Sequence, residues 1–131
     1  MWTDQSIFYQ IYPMGAFGAP FENDGHLEHR ILKMKAWMDD LQSLGIDCVL
    51  FNPMVQSHTH GYDTIDYYQI DCRLGTNEDV QEIIEQLHKR DIKVLFDGVF
   101  NHVGRGFFAF VDVLKNRYES LYKDWFYINF D

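Results

Sequence analysis

Cys48-Val49-Leu50-Phe51 is an apolar run that ends at Asn52-Pro53 and shows no alternation of polar and apolar positions. Such a run is typical of a strand that is buried on both faces of a parallel sheet. Two further runs of this kind lie on either side of it, at residues 6–12, which end before Pro13, and at Lys93-Val94-Leu95-Phe96. Proline closes a strand, so Pro13 and Pro53 mark where the first two runs end. The three runs together predict three buried strands of one sheet.

Two stretches with helical periodicity separate these runs. In the first, apolar side chains recur at spacings of about four and three residues and predict a helix that ends at Gly45; they are Leu27, Ile31, Met34, Trp37, Met38, Leu41 and Leu44. In the second, Thr76 can cap a helix together with Asp79, and the apolar stripe is Val80, Ile83, Ile84 and Leu87. The order strand, helix, strand, helix, strand predicts an α/β fold with parallel strands and right-handed crossovers.

Three other segments complete the chain. Residues 54–75 form a long connection rich in His, Gly, Tyr and Asp, and loops of this length tend to be functional. Residues 107–114 predict a short helix, and residues 125–130 predict a further strand.

The composition excludes several classes of partner. The 131 residues carry a formal net charge of −9, and an acidic surface opposes binding to nucleic acid or anionic membranes, because both need clustered Lys and Arg. The first residues lack the regions of a signal peptide, and no apolar run approaches the roughly 20 residues of a membrane span. We therefore expect a cytoplasmic, globular chain with neither nucleic acid nor membrane as a partner.

Two clusters of polar side chains follow predicted strands. Residues 58–63, with residues 66–68, come after the strand at 48–51, and residues 97–102 come directly after the strand at 93–96. Ligands bind at the carboxyl ends of parallel strands, because the loops converge there. Both clusters are therefore expected at one end of the sheet.

The second cluster, Asp97-Gly98-Val99-Phe100-Asn101-His102, is similar to the first signature of the α-amylase family of glycoside hydrolases, at the end of the third barrel strand. Residues 60–71 resemble the family's segment in which a tyrosine stacks on the sugar beside the cleavage point. Residues 7–13 and Leu74-Gly75-Thr76 are also similar to the family. The resemblance covers nearly the whole chain and becomes weaker after Gly104.

This resemblance implies a partial (β/α)8 TIM barrel. Residues 1–103 would supply its first three parallel strands and two helices, and residues 104–131 would begin an inserted, loop-rich domain. A complete barrel takes about 250 residues, so the outer strands would leave unpaired backbone groups and exposed apolar surface. We expect the isolated chain to self-associate through these sheet edges.

The resemblance also implies roles in binding an α-glucan oligosaccharide. Tyr62 would stack on a sugar ring and His102 would hydrogen-bond its hydroxyls, with His60 and Asp63 as further substrate contacts. Without the family motif, Tyr62 would be interpreted as a packing residue beneath a long loop, because aromatic side chains bury large areas.

Two residues would support the site. Asp97 would brace it through hydrogen bonds, and Asn101 matches a position that in many relatives helps to hold a structural calcium ion, the one cofactor that the resemblance implies. The sequence departs from the family pattern at Cys72, where proline is usual, and at Gly98, where a β-branched residue is common. Neither departure removes a sugar contact.

The catalytic carboxylates are expected elsewhere. Retaining glycosidases need two carboxyl groups about 5–5.5 Å apart, one as nucleophile and one as acid/base. In the family these groups follow later barrel strands, and the remaining carboxylates here lie in none of those contexts: Asp112, Glu119, Asp124 and Asp131. We therefore expect a segment of a retaining enzyme, acting on starch or maltooligosaccharides, that is inactive on its own.

Three other functions compete with this one. A non-catalytic glucan-binding or remnant module would keep the sugar contacts without hydrolysis. His60 and His102 could be zinc ligands, but no third ligand accompanies them at metal spacing. A nucleotide-binding domain would need a phosphate loop after the first strand, and neither G-x-G-x-x-G nor G-K-S/T occurs there.

Overall fold

The computed structural model describes all 131 residues of the chain. Its strands are β1 (Phe8–Ile11), β2 (Cys48–Phe51), β3 (Val55–Ser57), β4 (Thr64–Ile70) and β5 (Lys93–Phe96). Its α-helices are α1 (Pro13–Ala16), α2 (Met38–Ser43), α3 (Asn77–His88) and α4 (Phe108–Asn116). Short 3-10 helices span Trp2–Gln5, Arg30–Trp37, Arg117–Glu119 and Lys123–Trp125. None of the helices has the length and apolar character that a membrane span requires.

A parallel sheet with the strand order β1-β2-β5 forms the centre of the chain. Ile11 aligns with Phe51, and Phe51 aligns with Phe96, so the three strands end at the same level. Beyond them, the amide of Asn52 donates to the carbonyl of Ile11 at 2.9 Å, and the amide of Asp97 donates to that of Phe51 at 2.8 Å. The predicted parallel α/β arrangement is confirmed, and Asn52 and Asp97 are fixed at the carboxyl edge of the sheet.

The helices cover one face of this sheet. Side chains alternate between the two faces of a strand, and the face that carries Ile11, Val49 and Phe51 forms a core with α3 and the 3-10 helix Arg30–Trp37. The central strand β2 is buried, whereas most residues of β1 and β5 are exposed. The prediction of burial on both faces is therefore wrong for β1 and β5, because each is an edge strand with a single neighbour.

The first predicted helix is shorter than its apolar stripe. It begins at Arg30 as a 3-10 helix and becomes α-helical only in α2. Leu27 and Leu44, the ends of the stripe, are exposed, whereas its middle is buried at Ile31, Met34, Met38 and Leu41. The helix cannot start at Leu27, because the amide of Ile31, which in an α-helix would donate to the carbonyl of Leu27, donates instead to the carbonyl of Leu74 at 2.8 Å.

The helix ends follow the sequence signals. Gly45, which follows α2, has a φ of +71°, the left-handed conformation that favours glycine after a helix. Thr76 Oγ1 accepts from the amide of Asp79 at 3.2 Å, and Asp79 Oδ2 accepts from the amide of Thr76 at 2.8 Å. The predicted capping box of α3 is confirmed, and α4 confirms the helix predicted at residues 107–114.

Residues 54–75 are not an irregular connection throughout. β3 and β4 pair antiparallel in a separate two-stranded sheet, so the prediction of a long loop is wrong for this part. The β-branched and aromatic side chains of β4 favour an extended, paired strand. The central sheet remains entirely parallel.

A buried ion pair connects this hairpin to the loop after β1. The side chains of Arg73 and Asp71 are fully buried, with Nη2 of Arg73 at 2.8 Å from Oδ2 of Asp71. Arg73 also donates to Ser57 Oγ at 3.0 Å and to the carbonyls of Pro20 and Phe21 at 2.9 and 2.7 Å. These bonds offset the cost of removing both charges from water.

The C-terminal segment folds without a strand. The strand predicted at residues 125–130 is wrong, since Trp125 ends the 3-10 helix Lys123–Trp125 and residues 126–130 follow in irregular conformation. A strand needs a neighbour for its backbone groups, and no strand of the chain pairs with this segment. Phe126 instead contacts Phe110 of α4, with ring centroids 5.3 Å apart. The division into residues 1–103 and 104–131 stays a prediction.

Candidate functional site

The two polar clusters meet at the carboxyl edge of the parallel sheet, as predicted. Asn52 follows β2 and Asp97 follows the neighbouring strand β5. The turn between β3 and β4 places Tyr62 over this edge, where its hydroxyl contacts both side chains.

A chain of hydrogen bonds runs along this edge. Nε2 of Gln10 donates to Oδ1 of Asn52 at 3.0 Å, and Nδ2 of Asn52 donates to the Tyr62 hydroxyl at 2.6 Å. That hydroxyl donates to Oδ2 of Asp97 at 3.0 Å. Tyr62 is 36% exposed, so the side chain is anchored at its hydroxyl while part of it remains free to contact another molecule.

His102 lies beside Tyr62, as predicted. Its Nε2 is 2.9 Å from the carbonyl oxygen of Tyr62, and its Nδ1 is 3.4 Å from Nδ2 of Asn101. The hydroxyl of Tyr67 donates to the carbonyl of Val99, with the carbonyl of His102 at 3.3 Å, and thereby fixes the segment after β5. Because both ring nitrogens of His102 have protein neighbours, a bond to a sugar requires one of these neighbours to be exchanged.

Asp63 and His60 shape the turn that carries Tyr62. The carboxylate of Asp63 accepts from the amide and the hydroxyl of Thr59 at 3.1 and 2.8 Å. Burial raises the pKa of Asp63, but the bonds from Thr59 lower it further, so the net shift is below its ordinary value. Nδ1 of His60 accepts from the amide of Tyr62 at 3.1 Å. Direct sugar contacts by Asp63 and His60 stay predictions.

Sequence reasoning missed three residues of this site: Gln10, Asn52 and Tyr12. The Tyr12 hydroxyl donates to the carbonyl of His60 at 3.0 Å. Burial raises the pKa of Tyr12, and although Arg73 opposes this shift, the net pKa is above its ordinary value. Each missed residue is polar and lies at or next to the carboxyl end of a predicted strand. The same position, directly after a predicted strand, had indicated Asp97 as a candidate site residue.

Two mainly apolar clefts adjoin the site. One, of about 770 Å³, lies between β4 and residues 96–100 and includes Asp97 in its lining. The other, of about 580 Å³, is lined by Asn101 and His102 together with aromatic side chains of residues 125–127. Tyr62 lines neither cleft.

Comparison with known proteins decides the family. The family model described as alpha amylase, catalytic domain, matches residues 10–130. This chain belongs to the alpha-amylase family. The match includes both polar clusters, so the resemblance of residues 97–102 and 60–71 to the family is confirmed.

Relatives with known names align with nearly all of this alpha-amylase family chain. It is 37% identical to a cyclomaltodextrinase from Bacillus sp over 97% of the chain and 26% of that relative. It is 39% identical to a cyclomaltodextrinase from Thermoanaerobacter pseudethanolicus over 97% of the chain and 25% of that relative. The chain therefore spans about a quarter of the length of these relatives.

A solved structure shows which part of the alpha-amylase family fold is present. The protein Ttha1563 from Thermus thermophilus matches with a TM-score of 0.82 and 31% identity, covering 98% of this chain and 31% of that one. The predicted fold, the N-terminal part of a TIM barrel, is confirmed by this match together with the parallel order β1-β2-β5.

Proposed function

We propose that this chain forms the first part of the catalytic barrel of a glycoside hydrolase that acts on α-glucans, and that it supplies a sugar-binding edge. The observation that carries the proposal is the position of Tyr62, which Asn52 and Asp97 anchor at the carboxyl edge of parallel strands. Barrel enzymes bind their substrates at this edge.

The chemistry of the edge suits a sugar. A partly exposed aromatic ring can cover the apolar face of a pyranose, while neighbouring polar groups bond to its hydroxyls. Two relatives are named cyclomaltodextrinases, which supports an oligomer of α-linked glucose, such as a maltooligosaccharide or a starch fragment.

Each site residue then has a role. Tyr62 stacks on a glucose ring, and Asp97 accepts from the Tyr62 hydroxyl. His102 bonds to a sugar hydroxyl after exchanging its contact with the Tyr62 carbonyl. The turn residues His60 and Asp63 fix Tyr62 and border the same sugar; the lowered pKa of Asp63 keeps its carboxylate charged as an acceptor.

The catalytic groups come from other parts of the protein in this proposal. Asp112 accepts from Nδ2 of Asn116 at 2.8 Å and from the hydroxyl of Ser120, so it stabilises the end of α4. Asp131 accepts from the Tyr118 hydroxyl at 3.2 Å. A retaining mechanism needs two facing carboxyl groups, and we expect no hydrolysis by this chain alone.

Calcium stays a prediction. Asn101 offers one amide oxygen, whereas calcium takes about six to eight oxygen ligands. The chain has no group of three or more His, Cys, Asp or Glu side chains that could hold a metal ion. Asn101 would supply one ligand, and an ion there would take its other oxygens from backbone carbonyls, water or further residues.

Titration of the isotopically labelled chain with maltoheptaose, followed by NMR, tests the sugar-binding edge. Tyr62→Ala is expected to weaken binding about 5- to 10-fold, because the stacking surface is lost, and His102→Ala should weaken it as well. Tyr118→Ala is the control, since Tyr118 is a 59% exposed tyrosine of the 3-10 helix Arg117–Glu119 and lines neither cleft. No binding by the native chain, or equal losses for Tyr62→Ala and Tyr118→Ala, contradicts the proposal.

A non-catalytic glucan-binding module is the second candidate, since the chain's own carboxylates serve local contacts. Both candidates predict sugar binding, so activity must separate them. Replacing the matching quarter of a cyclomaltodextrinase with this chain should give an active chimera if the chain is part of an enzyme. A folded chimera that binds maltoheptaose without releasing reducing ends supports the binding module. Sustained release of reducing ends by the pure chain contradicts its expected inactivity.

A further inference from the structure

Gln10 and Asn52 contact the sugar-binding edge but have no part in the proposed sugar contacts. Gln10 belongs to β1 and Asn52 follows β2, and their side chains meet across 42 positions of sequence. The backbone of Asn52 is fixed by its bond to the carbonyl of Ile11 at 2.9 Å. The amide side chain of Asn52 therefore starts from a rigid position.

The hydrogen bonds along this edge have one direction. Because Gln10 donates to Oδ1 of Asn52 at 3.0 Å, the NH2 end of the Asn52 amide faces Tyr62 and donates to its hydroxyl at 2.6 Å. A tyrosine hydroxyl has one hydrogen, which is left to donate to Oδ2 of Asp97 at 3.0 Å. The amide of Asn52 thus determines the direction in which the Tyr62 hydroxyl donates.

We infer that Asn52, itself oriented by Gln10, is a positioning residue that fixes the Tyr62 ring at the sugar-binding edge. The inference rests on the proposed function, because it specifies what orients the ring that stacks on the glucan. With a bond to Asp97 alone, the Tyr62 side chain could change its torsion angles while its hydroxyl stays on that one acceptor. The second bond, from Asn52, restricts this motion. A ring fixed before binding loses less conformational entropy when the sugar arrives.

Asn52→Asp tests this role, because it keeps the shape of the side chain and removes its donor. The Tyr62 hydroxyl then faces two carboxylates with a single hydrogen, and we expect the affinity for maltoheptaose to fall about 3- to 10-fold. Gln10→Glu should lower the affinity as well, because a carboxylate at this position accepts from the Asn52 amide and turns the oxygen of Asn52 toward the Tyr62 hydroxyl. Gln42→Glu, which introduces the same charge on α2, should leave the affinity unchanged; a fall equal to that of Asn52→Asp overturns the inference.

A double-mutant cycle separates positioning from a general structural effect. In a Tyr62→Phe background there is no hydroxyl for Asn52 to orient, so Asn52→Asp should cause no further loss of affinity. Coupled residues deviate from additivity in this way, whereas independent ones add. The same fold-loss in the native and Tyr62→Phe backgrounds overturns the inference.

A second readout does not depend on sugar. The ring resonances of Tyr62, identified by their disappearance in Tyr62→Phe, should shift or broaden in Asn52→Asp and stay unchanged in Gln42→Glu. Unchanged Tyr62 resonances in Asn52→Asp overturn the inference while leaving the proposed function intact. If the native chain binds no maltoheptaose, the proposed function fails and the Tyr62 resonances alone decide the inference.

Discussion

Nε2 of His102 lies 2.9 Å from the carbonyl oxygen of Tyr62, 40 positions earlier in the chain. This contact joins the segment after β5 to the turn between β3 and β4, which are the two parts of the proposed sugar-binding edge. Because it uses the backbone of Tyr62, the contact does not depend on the side chain at that position. A displacement of either segment is therefore expected to move the other.

Gly104→Ala is expected to displace the segment that carries His102. A Cβ at Gly104 would lie 2.4 Å from the backbone carbonyl oxygen of Asp63, so the two segments must separate. We expect a loss of about 1–3 kcal/mol in the free energy of unfolding, measured with urea. Gly45→Ala is the comparison: its Cβ meets open space and only the φ of +71° is unfavourable, costing about 1–2 kcal/mol. Unchanged His102 resonances in Gly104→Ala would count against this prediction.

The buried ion pair should contribute far more to stability than a surface pair. Arg73→Gln leaves the fully buried carboxylate of Asp71 without its partner, and we expect a loss of about 3–5 kcal/mol. Arg90→Gln removes the pair with Asp39, whose side chain is 88% exposed, and should cost less than about 1 kcal/mol. Urea denaturation measures both values, and similar losses for the two variants would refute the prediction.

Thr64→Val is expected to be neutral or stabilising. The Oγ1 atom of Thr64 is buried without a hydrogen-bond partner, so the hydroxyl has lost its water without compensation. Ser57→Ala is the opposite case, because Ser57 Oγ donates to Asp71 at 3.1 Å and accepts from Arg73 at 3.0 Å. Removing it should cost about 1–3 kcal/mol. Thermal unfolding of both variants tests the contrast, which fails if Thr64→Val proves the more damaging change.

Asp79 should make the stability of the chain depend on pH. Burial raises the pKa of Asp79, but bonds from His29 and Thr76 lower it further, so in the folded state it lies below its ordinary value of 3.8. A lowered pKa contributes stability that is fully present above 3.8 and is lost as the pH falls through the folded-state pKa.

The variant Asp79→Asn lacks this contribution at every pH. The difference in the free energy of unfolding between the native chain and Asp79→Asn should therefore narrow as the pH is lowered below 3.8. His29→Gln removes one of the bonds that lower the pKa of Asp79. The difference in the free energy of unfolding between the native chain and His29→Gln should therefore narrow less at low pH than the difference for Asp79→Asn. Urea titrations at stepped pH measure these differences, and a constant difference for Asp79→Asn argues against the role of Asp79.

Self-association through the sheet edges remains our proposal for the isolated chain. Leu95 and Phe96 of β5 are 39% and 50% exposed, and Phe8 of β1 is 40% exposed. Charged residues on an edge strand oppose pairing with another chain, so Leu95→Lys should shift sedimentation toward the monomer. Leu121→Lys, at a 90% exposed position outside the sheet, should not. A native chain that sediments as a monomer at all concentrations contradicts the proposal.

The central sheet could be predicted because local signals mark each of its strands. The apolar run Cys48–Phe51 ends at Pro53, and the apolar stripe located the buried side chains of the first helix, although not its ends. The start of that helix depends on the bond between Ile31 and Leu74, which are distant in sequence. The pairing of β3 with β4 also escaped prediction, because the polar and glycine residues between them indicated a loop.

The site was predictable only in part for a similar reason. Tyr62, Asp97 and His102 follow predicted strands and lie in family motifs, so their positions could be inferred from the sequence. The bond between Gln10 and Asn52 depends on how far β1 and β2 are offset against each other. No local pattern states that register, so although the position of both residues near the ends of predicted strands was a usable signal, their contact could not be inferred from the sequence.

The contacts of Arg73 also set a limit on how barrels of this kind can be recombined. Its guanidinium joins the loop at Pro20 and Phe21 to the hairpin at Ser57 and Asp71, although the two belong to different strand-and-helix units. A graft that moves the hairpin without the earlier loop would leave a buried cation with missing acceptors. Loop libraries for this scaffold should therefore transfer both segments together.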